Sequence, residues 1–143
     1  MLIPQGYRKY EYFAPTPTFQ VRAATTANGT LASAFDNASV IDGITLVTGD
    51  FILVKNQTTQ SDNGVYVVQA SGAPVRHTSF NTYLELNDAS VSVTLGTINT
   101  GTDWYQNTTL TSLSSNQVWT NAPNVQKFVV PDYTNRILVG GAG

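Results

Sequence analysis

The chain has 143 residues with 7 Lys and Arg against 9 Asp and Glu, a formal net charge of −2, no cysteine, and Thr, Asn, Ser or Gln at 50 positions. Its charged fraction of 11% is less than half the roughly 25% of an ordinary soluble domain, so it lacks the clustered cations that binding of a nucleic-acid backbone requires. The absence of cysteine excludes disulfides and Cys-ligated zinc. No apolar run approaches the ~20 residues of a membrane span. The 41% of apolar residues suffice for one domain with a core.

Residues 1–20 are the first predicted segment, and they hold one third of the aromatic residues. The side chains typical of interfaces here are Tyr7, Arg8, Tyr10, Tyr12, Phe13 and Phe19. Pro15 and Pro17 keep residues 14–18 extended and remove two backbone donors, which predicts a stiff connector. Because Tyr and Arg are frequent at binding hot spots, we expect an arm that docks onto another chain. The alternative is an edge strand packed on its own domain.

Short β-branched runs bounded by Gly, Asn, Asp or Pro predict strands in the rest of the chain. They occur at 51–55, 65–69, 91–95, 117–120, 126–130 and 136–139. The residues at 31–39 are the only window in which we expect a helical turn. The predicted fold is all-β, an antiparallel β-sandwich or small barrel, with the extended N-terminal arm and a C-terminal tail over residues 129–143.

Two local patterns are more specific. Val91, Val93 and Leu95 alternate with small hydroxyl residues, which predicts a strand with one buried face. The dipeptides at 42–43 and 63–64, Asp-Gly and Asn-Gly, are typical of tight two-residue turns, because both central residues accept a positive φ.

Residues capable of catalysis are few. His77 is the only imidazole, and with no cysteine or paired carboxylate beside it a structural or solvated role is favoured. Glu85 and Asp88 form a local acidic pair on a predicted loop, so a glycan hydrolase stays open as an alternative. Glycine-rich phosphate loops and metal-ligand spacings are absent from the sequence. We therefore predict no catalytic residues, no cofactor and no metal.

Several segments in a fixed order carry a likeness to a known family. They read VRAATTAN at 21–28, IDG at 41–43, LVTGD at 46–50, ILVKNQT at 52–58 and NGVYV at 63–67, with looser matches up to about residue 120. This order resembles the β module of tail-fibre and other virion structural proteins of tailed bacteriophages. Two positions depart from that pattern. Phe51 stands where the family usually has a polar or basic residue, and Ala-Pro-Val at 73–75 replaces the usual aromatic residue before the arginine.

The resemblance implies a non-enzymatic virion structural protein, assembled in the host bacterial cytoplasm, with residues 1–20 as arm, 21–128 as the β module and 129–143 as tail. One module with an arm and a tail favours a capsid-associated decoration or head-fibre or spike subunit. Its expected partners are major capsid, neck or tail proteins and further copies of itself, with a trimer as the expected oligomer. Phe51 joins the aromatic arm residues in the predicted partner interface.

The sequence leaves a second function open. Trp104 and Tyr105 are adjacent aromatic residues in a polar stretch, and we expect them to stack on a sugar ring. The alternative function is therefore a short tail-fibre or tail-tip adhesin that binds a host surface glycan.

Overall fold

Ten short strands make up most of the regular structure of residues 19–122, the part of the chain that the computed structural model describes. They are β1 (Phe19–Val21), β2 (Ala23–Ala24), β3 (Val40–Ile41), β4 (Ile44–Thr45), β5 (Phe51–Val54), β6 (Gly64–Val67), β7 (Val75–Arg76), β8 (Ser90–Val93), β9 (Asp103–Gln106) and β10 (Trp119–Ala122). Helix α1 (Tyr83–Leu86) and 3-10 turns at Gln60–Asp62 and Thr78–Phe80 complete the elements. Within this range no helix is long and apolar enough to cross a bilayer. The all-β prediction is confirmed, whereas sandwich or barrel stays a prediction.

The strands form two four-stranded sheets and one hairpin. Sheet 1 has the order β1-β8-β9-β10, sheet 2 has the order β2-β5-β6-β7, and β3 pairs with β4. β1 runs parallel to β8 and β2 runs parallel to β5, while the other pairs are antiparallel. Antiparallel pairs predominate, as predicted, and the two parallel pairs, which were not predicted, make the sheets mixed. The cause is one extended segment, residues 19–24, that forms an edge of both sheets.

Arg22 is the point at which this segment passes from one sheet to the other. Its N–H donates to the Phe51 carbonyl at 2.8 Å, and its carbonyl accepts from the Leu95 N–H at 3.0 Å. The backbone of Arg22 is thus hydrogen-bonded both to β5 of sheet 2 and to the segment that follows β8 of sheet 1. β1 begins at Phe19, so the last two residues of the predicted arm belong to sheet 1.

The middle of sheet 2 is buried on both faces. Leu53 and Val65 belong to one buried cluster with Val91, Val93 and Trp119 of sheet 1. On the other face, a second cluster contains Ile52, Val54, Tyr66 and Val68 with Phe35, Ile41 and Leu46 from the preceding loop and hairpin. Because both faces are covered, β5 and β6 read as continuous apolar runs and not as alternating ones.

Local patterns predicted some of this structure and missed other parts. Val91 and Val93 are buried as expected, but Leu95 is 42% exposed because β8 ends at Val93. Asp42 and Gly43 have φ angles of 49° and 78° and connect β3 to β4, which confirms a tight turn. At the second dipeptide Asn63 has a φ of −68° and Gly64 opens β6, so the turn prediction there was wrong.

Helix and strand ends follow capping and pairing more than propensity. The window at 31–39 contains turns and no helix. Helix α1 forms instead where Thr82 and Glu85 make a capping box, in which each side chain accepts from the other residue's backbone N–H at 3.2 Å. β9 was not predicted because its sequence carries little apolar periodicity. The predicted strands at 126–130 and 136–139 lie outside the described residues.

Tyr66 makes the second cluster sensitive to alkali. Burial raises the pKa of Tyr66, with Arg76 opposing and Asp62 adding to the shift, and its hydroxyl donates to the Asp62 carbonyl at 2.7 Å. A folded pKa above the unfolded value of about 10 contributes stability that is present below that pH and lost as pH rises through the folded pKa.

We therefore expect the free energy of unfolding of the wild type to fall more steeply above pH 10 than that of Tyr66→Phe. Denaturant unfolding at a series of pH values checks this, and ultraviolet titration should show a late component that the variant lacks. Parallel pH curves for the two proteins would contradict it.

Candidate functional site

A cluster of aromatic and aliphatic side chains lies at the start of β1 and β5, and we call it the aromatic patch. It consists of Phe19, Phe51, Val67, Val75, His77 and Phe80. The rings of Phe19 and Phe51 stack with centroids 5.6 Å apart. His77 meets both rings edge-on, at 4.8 Å and 4.5 Å, and Phe80 meets Phe19 edge-on at 4.9 Å. These are favourable aromatic geometries.

Strand register builds the outer part of the patch. Phe51 pairs with Val67 and Val67 pairs with Val75, so the three side chains form one row on the same face of sheet 2. Phe80 is 7% exposed and anchors the patch, whereas Phe51 is 36% and Val75 is 57% exposed. The patch therefore runs from a buried base to an open apolar edge.

Backbone contacts hold His77 in this position. Its N–H donates to the Val65 carbonyl at 2.9 Å, and its Nδ1 accepts from the Ser79 N–H at 3.0 Å at the start of a 3-10 turn. An accepting Nδ1 carries no proton, which leaves the proton of the neutral ring on Nε2. In this geometry the imidazole packs as a ring and caps a turn.

The charged groups nearest the patch have partners. Arg22 forms an ion pair with Asp50 at 2.7 Å and also donates to the Thr45 carbonyl at 2.9 Å. The guanidinium of Arg76 donates to the carbonyls of Ser61 and Asn63 at 2.7 Å and 3.0 Å. An uncharged surface bordered by engaged charges is typical of a docking site.

An open groove continues from the patch along β1. Its volume is about 460 Å³, and its walls include Phe51, Leu95 and the ion pair of Arg22 with Asp50. Its lining is mixed, because Gln20, Arg22, Asp50 and Thr94 are polar and Phe51 and Leu95 are apolar.

The two predicted sugar-stacking residues lie on opposite faces of β9. Trp104 packs against the cluster shared by the sheets, donates from Nε1 to the Thr102 hydroxyl at 2.8 Å, and has the Lys55 ammonium 4.2 Å from its ring centroid. Burial lowers the pKa of Lys55, with Asp42 opposing. Tyr105 is 39% exposed. The structure therefore does not bring the two rings to one surface.

The remaining site residues predicted from sequence lie in different parts of the chain. Phe19 and Phe51 lie in the aromatic patch. The other predicted interface residues, Tyr7, Arg8, Tyr10, Tyr12 and Phe13, lie outside the described residues. The carboxylate of Glu85 is used by the capping box. Across residues 19–122 no three His, Cys, Asp or Glu side chains converge as metal ligands.

Sequence reasoning missed four members of the patch, namely Val67, Val75, His77 and Phe80. Only cross-strand register and the fold of the 3-10 turn bring them beside Phe51. The available signals were the two departures from the resembled pattern, at Phe51 and at residues 73–75. No family model, curated protein or solved structure matches this chain.

Proposed function

We propose that this chain is a non-enzymatic structural protein of a tailed-bacteriophage virion, either a capsid-associated decoration protein or a head-fibre or spike subunit. The order of segments that resembles the phage β module supports the class of protein. The aromatic patch supports a role in attachment, because its apolar rings are exposed at one edge, while the imidazole of His77 packs against Phe19 and Phe51 and caps a turn.

The observation that carries the proposal is the exposed edge of the patch. Phe51 and Val75 are large apolar residues at 36% and 57% exposure, in register across three strands. Phe19, which stacks on Phe51, follows the Tyr-rich segment and its proline-containing connector in the sequence. Exposed aromatic residues that are preorganised by neighbours are typical of binding hot spots.

The composition fits a subunit that is present in many copies. With 11% charged residues, copies packed side by side on a particle accumulate little like-charge repulsion. We propose major capsid, neck or tail proteins as the partners, contacted by residues 1–20, and further copies of the chain in a homo-oligomer, for which we propose a trimer.

Reconstitution onto particles tests this proposal. Purified particles that lack the protein are incubated with the full chain or its variants, and bound protein is quantified after sedimentation. We expect deletion of residues 2–13 to abolish binding and Phe51→Ser to weaken it at least about tenfold, the usual loss at an interface hot spot.

Leu84→Ser is the matched control. Leu84 is 71% exposed but lies on α1, outside the patch, so its replacement is expected to leave particle binding unchanged. Thermal unfolding of each variant verifies that the fold is retained. Wild-type binding by both the deletion and Phe51→Ser would refute attachment through these residues.

A tail-tip or short tail-fibre adhesin is the second candidate function. The outward orientation of Tyr105 on a polar sheet face favours it, since an exposed ring among hydroxyl groups suits a sugar. Electron microscopy of particles with labelled protein distinguishes the two candidates, because label on the capsid favours the first and label on the tail tip favours the second.

A further inference from the structure

The outer face of sheet 1 is polar except at its centre. Strand alternation and register place Gln20, Ser90, Ser92, Asp103, Tyr105, Thr120 and Ala122 on this face. Tyr105 lies between Ser90 on β8 and Thr120 on β10, which are its direct cross-strand partners. Side chains at such positions have Cβ atoms about 5 Å apart, so the exposed ring is flanked by a hydroxyl on each side.

Hydrogen bonds hold several of the polar groups on this face in place. The Asn107 amide donates to the Thr120 hydroxyl at 2.6 Å, and the Ser92 hydroxyl donates to the Asp103 carboxylate at 2.6 Å. Hydroxyl groups that are already held by a hydrogen bond lose little conformational freedom when they bind a ligand. Two hydroxyl groups on the same face as Tyr105, those of Ser92 and Thr120, are therefore preorganised.

We infer that this face binds a neutral glycan, with a pyranose ring stacked on Tyr105 and its hydroxyl groups bonded to Ser90 and Thr120. A pyranose presents a C–H face that packs on an aromatic ring and a rim of hydroxyl groups that need polar partners. The inference deepens the second candidate function and is independent of attachment through the aromatic patch.

The charges of the face select the class of glycan. Of the residues that register places there, none is Lys or Arg and one, Asp103, is acidic. Among residues 19–122, strand register places no cation on this face that could bind an anionic polysaccharide, so a neutral polymer is favoured. A protein partner is disfavoured because, of the described residues that register places on this face, Tyr105 alone has a large side chain with apolar surface.

Trp104 takes no part in this site. Its ring faces the core side of sheet 1 and is covered by the Lys55 ammonium. A single exposed ring gives modest affinity per site, which suits a subunit present in several copies on one particle.

Affinity electrophoresis of the full chain tests the inference. Native gels contain dextran, mannan or galactan as neutral polymers, or alginate as an anionic one. We expect retardation by at least one neutral polymer and none by alginate. Tyr105→Ala should weaken the apparent affinity about tenfold, whereas Tyr105→Phe, which keeps the ring, should stay within about threefold of wild type.

Tyr83→Ala is the matched control, because Tyr83 is exposed to 37%, close to the 39% of Tyr105, but lies on α1. Thermal unfolding verifies that each variant is folded. Retardation by no neutral polymer, retardation by alginate alone, or equal retardation of Tyr105→Ala and wild type would each overturn the inference. Particle reconstitution with Tyr105→Ala should proceed normally, so failure of this inference is distinguishable from failure of the attachment proposal.

Discussion

Gly96→Ala is expected to lower the free energy of unfolding by about 3 kcal/mol, through backbone strain and a steric overlap together. Gly96 has a φ of +138°, a conformation that residues with a side chain rarely adopt. A Cβ added there would also overlap the Oδ2 atom of Asp42 and lie 3.0 Å from its Cγ. The substitution therefore affects the contact between the β3–β4 hairpin and the loop after β8.

The Asp42 carboxylate cannot move away cheaply. Its Oδ1 accepts from the Ile98 N–H at 2.9 Å and its Oδ2 accepts from the Asn99 N–H at 2.8 Å. The Asp42 carbonyl also accepts from the Thr97 N–H at 3.0 Å. A displaced carboxylate would lose charge-assisted hydrogen bonds that are stronger than neutral ones.

Denaturant unfolding of Gly96→Ala and Gly101→Ala measures this effect against a matched control. Gly101 belongs to the same β8–β9 connection and has a φ of +73°, but a Cβ there meets nothing within 4 Å. We expect the control to lose about 1 kcal/mol, the cost of the backbone conformation alone. Equal losses in the two variants would show that the overlap with Asp42 is relieved without cost.

Asn63→Asp is expected to destabilise the fold by about 3 kcal/mol at pH 7. Asn63 is 2% exposed. Its Oδ1 accepts from the Gln57 N–H at 2.9 Å, and its Nδ2 donates to the Gln117 carbonyl at 3.0 Å. An aspartate keeps the shape, but it buries a charge and sets a carboxylate oxygen against the Gln117 carbonyl.

Acid should reduce this deficit. Burial and the facing carbonyl raise the folded pKa of the introduced carboxyl above its unfolded value of about 3.9. Its protonated form then favours the fold, so the deficit relative to wild type is small below the unfolded pKa and grows as pH rises through the folded pKa. The protonated carboxyl also regains a donor for Gln117.

Unfolding curves of Asn63→Asp and wild type at pH 4 and pH 7 check the sign. Asn116→Asp adds the same charge at an exposed site and should change stability by less than about 0.5 kcal/mol at either pH. A deficit for Asn63→Asp that is constant between the two pH values would contradict a buried carboxylate.

Locally encoded features were predictable because neighbouring residues determine them. The turn at Asp42 and Gly43 follows from two residues that tolerate a positive φ, and burial of Val91 and Val93 follows from strand alternation. Asn63 shows the limit of that reasoning. Its dipeptide is typical of a turn, yet its side chain bridges to a carbonyl 54 residues away, and that long-range bond decides its role.

For the candidate site, too, some residues were predictable from sequence and others were found only in the structure. Phe51 was predicted as an interface residue from sequence, and Trp104 and Tyr105 were predicted as a pair. The pairing of the strands brings Val67, Val75 and His77 beside Phe51. Trp104 and Tyr105 lie on opposite faces of their sheet, because adjacent side chains on a strand point in opposite directions.

The sequence by itself determined an all-β class and a surface rich in hydroxyl and amide groups, since composition and two-residue periodicity depend on no distant contact. Only the tertiary structure decided that the sheets are mixed, that the apolar edge is centred on Phe51, and that Tyr105 is flanked by hydroxyl groups. These features depend on which strands pair and in what register. That choice is made by burial of the whole chain, and no single segment encodes it.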